Sequence, residues 1–156
     1  QRGNLIADVR RILEDSGLPA WRLTLEVTET VYMENIDQAR ETLDSLRSLG
    51  VSTALDDFGT GYSSLSYVRT LHFDVLKIDR AFVKNLPEES SLALVRAMLG
   101  IADSLGITPL AEGVENTGQF ELLRSLGCRY GQGYLFSPPV PADQFRDMLA
   151  RQDMAG

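Results

Sequence analysis

Apolar positions recur at two different periods along this chain, and the switch between them predicts its architecture. Residues 5–15 place Leu5, Ile6, Val9, Ile12 and Leu13 at helical spacing, and Gly17 and Pro19 end that helix. The stretch LTLEVTE, residues 23–29, alternates with period two and is rich in β-formers, which predicts a strand. A helical pattern fills 36–48 and stops at Gly50, VSTALDD (51–57) predicts a second strand, and a short helix is expected from about Ser63. DVLKID (74–79) predicts a third strand and 89–105 a long helix ending at Gly106. ITPLAEG (107–113) predicts a fourth strand, followed by a helix at 117–126 ending at Gly127. RYGQGYLF (129–136) predicts a fifth strand and 141–151 a closing helix. Strands alternating with helices at this spacing predict an α/β fold of βα units around a parallel sheet.

The polar positions carry a second pattern. Side chains alternate across a strand. On that basis Thr24, Glu26 and Thr28 share a face, as do Ser52, Ala54 and Asp56, then Val75, Lys77 and Asp79. Thr108, Leu110 and Glu112 share a face of the fourth strand, and Cys128, Tyr130 and Gln132 one of the fifth. Each predicted strand thus bears a charged or amide residue near its C-terminal end. A parallel barrel gathers those ends around one mouth, where such residues read as catalytic.

Asp56 and Asp57 end an apolar run, Val51 to Leu55. Two carboxylates held together repel unless a proton or a cation sits between them. With Glu26 on a neighbouring strand, hard cations with oxygen ligands suit the site. Two divalent ions about 4 Å apart would be the paired-metal arrangement of phosphoester hydrolysis. Gly59 and Gly61 let the following loop bend over such a site.

Plainer readings stand beside these. The two aspartates could be a helix cap and a turn. Lys77, between Leu76 and Ile78, could snorkel to water, or beside carboxylates it could steady phosphate charge. Glu112 and Gln132 could be turn residues next to glycines. His72 reads as surface, Cys128 as a small buried residue, and Trp21 as a packing residue at the entrance to the first strand. Leu122, Leu123 and Leu126 read as core, and Asp37, Arg40, Glu41 and Arg47 as a solvated helix face. GTGYSS, residues 59–64, with Asp79 twenty residues after Gly59, imitates a dinucleotide fingerprint. Ser64 stands where its third glycine should be, and two aspartates before the turn would repel a pyrophosphate.

Composition narrows the options. Apolar residues make up 44% of the 156, enough for a sizeable core. The 22 acids outnumber the 15 bases and leave a net charge of -7, which disfavours a nucleic-acid polymer as partner. A small phosphate ligand carried by a divalent metal remains compatible with that charge. The single cysteine permits no internal disulfide and fits a reducing, cytoplasmic setting. No apolar run approaches the roughly 20 residues of a membrane span. No signal peptide is visible and residue 1 is Gln, so a chain cut from a longer protein is expected.

LTLEVTET, ALDDFGTGYSSLSYV, VLKIDRAFV, PLAEGVE and YGQGYLFSPPV resemble, in order and spacing, the later motifs of the EAL domain family, bacterial phosphodiesterases that cleave cyclic di-GMP to linear pGpG. The resemblance runs from about residue 4 to about residue 147. It implies the C-terminal part, about five βα units, of a modified TIM (β/α)8 barrel. It implies that Glu26, Asp56 and Asp57 hold two Mg²⁺ or Mn²⁺ ions. Lys77 would lie beside the scissile phosphate and attacking water, and Glu112 would be the general base or orient that water. Asp79 and Gln132 would lie close to substrate. Glu29 would anchor the DFGTGYSS loop, and Glu115 would support the site. Partners implied are cyclic di-GMP, a second copy in a homodimer, and an upstream sensory or GGDEF-type domain. The parent protein could reach a membrane through such a domain.

The chain departs from the family in lacking its Glu-Ala-Leu motif, the nearby substrate-gripping arginine and the next strand's metal-binding asparagine. All three would precede residue 1, so residues 1–156 are expected to be a partial EAL domain without the early strands. The missing part belongs to the parent chain, comes from another chain, or has been lost in an inactive relative. The intact motifs favour the first. Metal-dependent hydrolysis is the leading expectation, and a non-catalytic cyclic di-GMP receptor or an interaction module is the alternative.

Overall fold

The computed structural model describes residues 5–28, 35–59 and 65–153. Helix α1 (Leu5–Ser16) leads through a short 3₁₀ turn at Ala20–Arg22 into β1 (Thr24–Thr28). Then follow α2 (Ile36–Ser48), β2 (Ser52–Asp56), α3 (Leu65–Leu71), β3 (Val75–Ile78) and α4 (Arg80–Lys84). The chain closes with α5 (Glu89–Leu105), β4 (Thr108–Ala111), α6 (Thr117–Ser125), β5 (Tyr130–Gly131) and α7 (Ala142–Asp153).

The strands form one sheet in sequence order, β1-β2-β3-β4-β5, with every pair parallel. Parallel strands need crossovers, and these are right-handed almost without exception. With no reversal of strand order, each crossover helix lands on the same face, as in a barrel wall. A dinucleotide-binding sheet reverses its order at a switch point. That topology removes the fingerprint reading of residues 59–64, most of which lie outside the described residues.

Side-chain alternation divides the sheet. Leu55, Leu76 and Ile78 are fully buried and share a core with Val68 of α3, Val83 of α4 and Val95 of α5. Lys77 lies between Leu76 and Ile78 and points to the opposite face. A smaller cluster of Val9, Leu46 and Val51 joins α1 and α2 to the start of β2.

Several elements differ from the sequence expectation. The fifth strand shrinks from the predicted 129–136 to Tyr130–Gly131, and residues 134–136 form a turn. Gly133 causes this, lying so close to Val114 that a Cβ there would come within 2.3 Å of its backbone N and O. Gln132 therefore follows the strand rather than alternating within it. Glu112 and Asp79 likewise lie just past β4 and β3. Trp21 is not a packing residue. It is 67% exposed, with the Arg22 guanidinium 4.8 Å from its ring centroid. Helix α4 carries no sequence forecast, because five residues are too few to show a helical period.

Gln119, within the predicted helix 117–126, is 5% exposed. Its side-chain oxygen accepts from the backbone N–H groups of Glu115 and Asn116, at 2.8 and 3.2 Å. Its amide donates to the Val83 and Lys84 carbonyls at 3.3 and 3.4 Å, tying α6 to the end of α4. Replacing it with leucine would strand these groups, at about 1–3 kcal/mol. Gln119→Leu is expected to lower the denaturant midpoint at unchanged slope.

Candidate active site

β1 and β3 lie two strand spacings apart, about 10 Å. Only long side chains bridge that gap. Ala54 of β2, the register partner of Glu26, is small enough to leave the space above it open. Through that space the Lys77 ammonium reaches Glu26 Oε2 at 2.7 Å, Asp56 Oδ1 at 3.1 Å and Glu112 Oε1 at 2.9 Å. An ammonium has three N–H donors. Each here has its own carboxylate. Gln132 closes the arrangement by donating its amide to Glu112 Oε1 at 2.7 Å.

These side chains differ in depth. Lys77 is 6% exposed, Glu112 16% and Asp56 20%, whereas Glu26 is 53% exposed and forms the rim. Burial disfavours the Lys77 ammonium, but bonds to Glu26, Glu112 and Asp56 outweigh that and hold it above the ordinary lysine range. Burial pushes the Glu112 carboxyl up. Lys77 opposes this, and the charges of Asp56 and Glu26 add to it, leaving Glu112 above the usual carboxylate range. Burial also pushes the Cys128 thiol up, as expected of an inert structural cysteine.

The remaining predicted residues take other positions. Asp57 adopts a left-handed backbone, φ 58°, and its N–H donates to Asp56 Oδ1 at 3.1 Å. That twist lets adjacent aspartates leave the regular pleat, but Asp57 is exposed and is not among the Lys77 partners. Asp79 caps α4, its Oδ1 accepting from the Ala81 N–H at 2.7 Å, so this carboxylate serves the helix start. Glu115 pairs with Arg80 at 2.7 Å rather than with the central cluster. Glu29 and Gly61 lie outside the described residues. Gly59 has φ 87°, the bend expected of it.

Arg80 went unnoticed in the sequence. Its aliphatic stem covers Gly113, where a Cβ would come within 2.4 Å of it. With Glu112, Gln132, Tyr134 and Phe145 it lines a cavity of about 520 Å³. Its place directly after a strand-end aspartate was the one available signal.

Whether a divalent cation suits this site can be judged from the donors. Glu26, Asp56 and Glu112 offer hard oxygens to a single point, and a cation, the Lys77 ammonium, already stands there. Among the described residues no three acids draw close enough to one another to hold a metal in this arrangement. The oxygen donors are of the kind a hard divalent cation takes, but with the lysine in the central place they do not form a metal site.

Carboxylates and a buried lysine from the C-terminal halves of parallel strands, joined by a carboxylate and an amide just past two others, are the layout of a TIM-barrel-type site. The chain belongs to the EAL domain family, whose sequence model matches residues 1–139. It is 46% identical over 149 residues to the cyclic di-GMP phosphodiesterase NbdA of Pseudomonas aeruginosa, covering 95% of this chain and 19% of NbdA. Among solved structures, the phosphodiesterase PaMucR in complex with c-di-GMP superposes with a TM-score of 0.87 at 41% identity, over 92% of this chain and 59% of that one. The manganese and cyclic di-GMP complex of Klebsiella pneumoniae BlrP1 gives a TM-score of 0.82 at 36% identity, over 89% of this chain and 36% of that one. The chain spans about a fifth of the length of the curated relatives it matches. No helix among the described residues is long and apolar enough to cross a membrane.

Proposed function

We propose that this chain is the C-terminal, site-bearing part of an EAL domain that hydrolyses cyclic di-GMP to linear pGpG in bacterial second-messenger signalling. The observation that carries this reading is Lys77 bonded at once to Glu26, Asp56 and Glu112, with Gln132 on Glu112. Glu26, Asp56 and Asp57 would hold Mg²⁺ or Mn²⁺, two ions in the complete site. When bound, the ions supply charge to offset the phosphoryl oxygens and lower the pKa of water.

The chain's own residues do the rest. Glu112, with its raised proton affinity, orients the attacking water or takes its proton. The Gln132 amide fixes the direction in which that carboxylate points. Lys77 offsets negative charge developing on the phosphate. The adjoining cavity, with Tyr134 and Phe145 on its wall, gives part of a nucleotide room beside the reacting centre. Further expectations of this reading are a homodimer, an upstream sensory or GGDEF-type domain and a cytoplasmic location.

The test is turnover of cyclic di-GMP with Mg²⁺ or Mn²⁺, followed as linear product by chromatography, with Glu26→Ala alongside. The expected outcome is hydrolysis that falls about 100-fold or more in the variant. Binding of cyclic di-GMP without turnover in the intact protein would replace this reading with that of a receptor.

A further inference from the structure

The hydrolysis reading, on which this inference rests, leaves Arg80 without a task. Its guanidinium pairs with Glu115 at 2.7 Å, yet both side chains stay open to solvent, 60% and 39% exposed. An exposed pair of this kind adds little to stability. The pair lies on the wall of the cavity of about 520 Å³ that also reaches Glu112 and Gln132. Exposed Tyr134, Phe145 and Met148 line the same cavity, so it offers an aromatic and apolar surface beside a fixed charge pair. Both charges are held by the backbone around them. Arg80 opens α4, which Asp79 caps, and its stem lies over Gly113. The Glu115 N–H donates to Gln119 Oε1 at 2.8 Å.

A guanidinium beside a carboxylate sets donors next to acceptors. The bond between them runs from one guanidinium nitrogen to Glu115 Oε1, which leaves other N–H groups of the fork and Glu115 Oε2 for a ligand. Guanine carries the matching edge: O6 accepts, and the adjoining N1–H and N2–H groups donate. Adenine carries the reverse, an N6 amino group that donates beside an N1 that accepts, so each member of the pair would meet its own kind. We propose that Arg80 and Glu115 read a guanine base of the substrate, Arg80 donating to O6 and Glu115 accepting from N1–H and N2–H, with the ring laid against the aromatic wall. The pair thereby sets the selectivity for guanine over adenine in a cyclic dinucleotide. A matched contact of this kind is worth about 10- to 100-fold in discrimination against the wrong base.

The experiment compares cyclic di-GMP with cyclic di-AMP in the full-length protein, wild type against Arg80→Met and Glu115→Gln. Cyclic di-AMP is assayed both as substrate and as competitive inhibitor, so that a slow substrate still gives an affinity. Wild type is expected to favour cyclic di-GMP by about 100-fold or more. Each variant is expected to lose about tenfold or more in kcat/KM for cyclic di-GMP, mainly through KM, while cyclic di-AMP holds or gains, so that the preference shrinks. Equal losses on both nucleotides overturn the proposal and make the pair a support for the Glu112 turn, with the hydrolysis reading intact. A wild type without preference overturns it as well. Should wild type turn over neither nucleotide, the hydrolysis reading fails, and equilibrium binding of the two to the same proteins decides. A guanine preference that the variants lose then upholds base reading in a receptor, and its absence overturns it. Should Arg80→Met fail to fold, Arg80→Lys, which keeps the charge but loses the planar fork, is read by the same ratio.

Discussion

Lys77→Met is expected to reduce cyclic di-GMP turnover by about 100- to 1,000-fold, the effect of removing one preorganised charge from a developing phosphate anion. The same change should destabilise the fold. It removes the one cation shared by Glu26, Asp56 and Glu112 and leaves those carboxylates facing each other. Breaking a fully buried pair costs about 3–5 kcal/mol, and the partial exposure of these acids brings the expected loss to about 2–3 kcal/mol at neutral pH.

The pH profile separates this loss from a mere cavity. In the wild type Lys77 has a folded-state pKa above that of an unfolded lysine. Its contribution is therefore complete below about pH 10.4 and is lost only as pH rises through the folded value. Glu112 shifts stability with pH in the same direction, in the carboxylate range. Its raised folded-state value means that ionising it costs stability, a cost absent in acid and present above the folded pKa. Without Lys77 that cost grows. The deficit of Lys77→Met relative to wild type should accordingly shrink as pH falls through the carboxylate range, whereas a cavity would cost the same throughout. Denaturant unfolding at several pH values checks this.

Gly133→Ala is the second large expected effect. A Cβ at Gly133 would lie 2.3 Å from both N and O of Val114 and 2.8 Å from its carbonyl carbon. Backbone cannot swing aside as a side-chain tip can. The Val114 N–H donates to the Gln132 carbonyl at 3.1 Å, and the Leu135 N–H donates to the Val114 carbonyl at 3.0 Å. Forcing these two segments apart breaks both bonds and carries off Gln132, whose amide donates to Glu112. The turn beyond also holds Phe136, packed edge-to-face on Phe120 at 5.9 Å. A loss of about 3 kcal/mol or more is expected, with turnover reduced in whatever fraction folds. Gly127→Ala is the control, because a Cβ there meets nothing within 4 Å and strains only its own backbone, φ 91°. Parallel thermal melts and product assays would show whether the two glycines differ. Equal behaviour would mean that the contact with Val114 is not what sets the position of Gln132.

The order and type of the long elements were legible in the chain because each carries its own period. Two-residue alternation marks β1, short apolar runs that end on charge mark β2 and β3, and helical spacing marks α2 and α5. Glu26, Asp56, Lys77, Glu112 and Gln132 were legible as polar residues at strand ends, where an apolar run has no local reason to stop on a charge. The family motifs then named a chemistry that no spacing could have named.

Other features depend on contacts between residues far apart in the chain, and no local pattern encodes them. The fifth strand ends early because Gly133 meets Val114. Asp79 is drawn to a helix of five residues too short to announce itself, and Glu115 to an arginine 35 residues away. Asp57 turns out of the pleat through a left-handed backbone. Above all, the tertiary structure decided that one ammonium stands among three carboxylates. The sequence determined that a lysine and several acids would share a mouth. Their common point arises only when parallel strands about 4.8 Å apart bring long side chains from β1 and β3 together over the small Ala54.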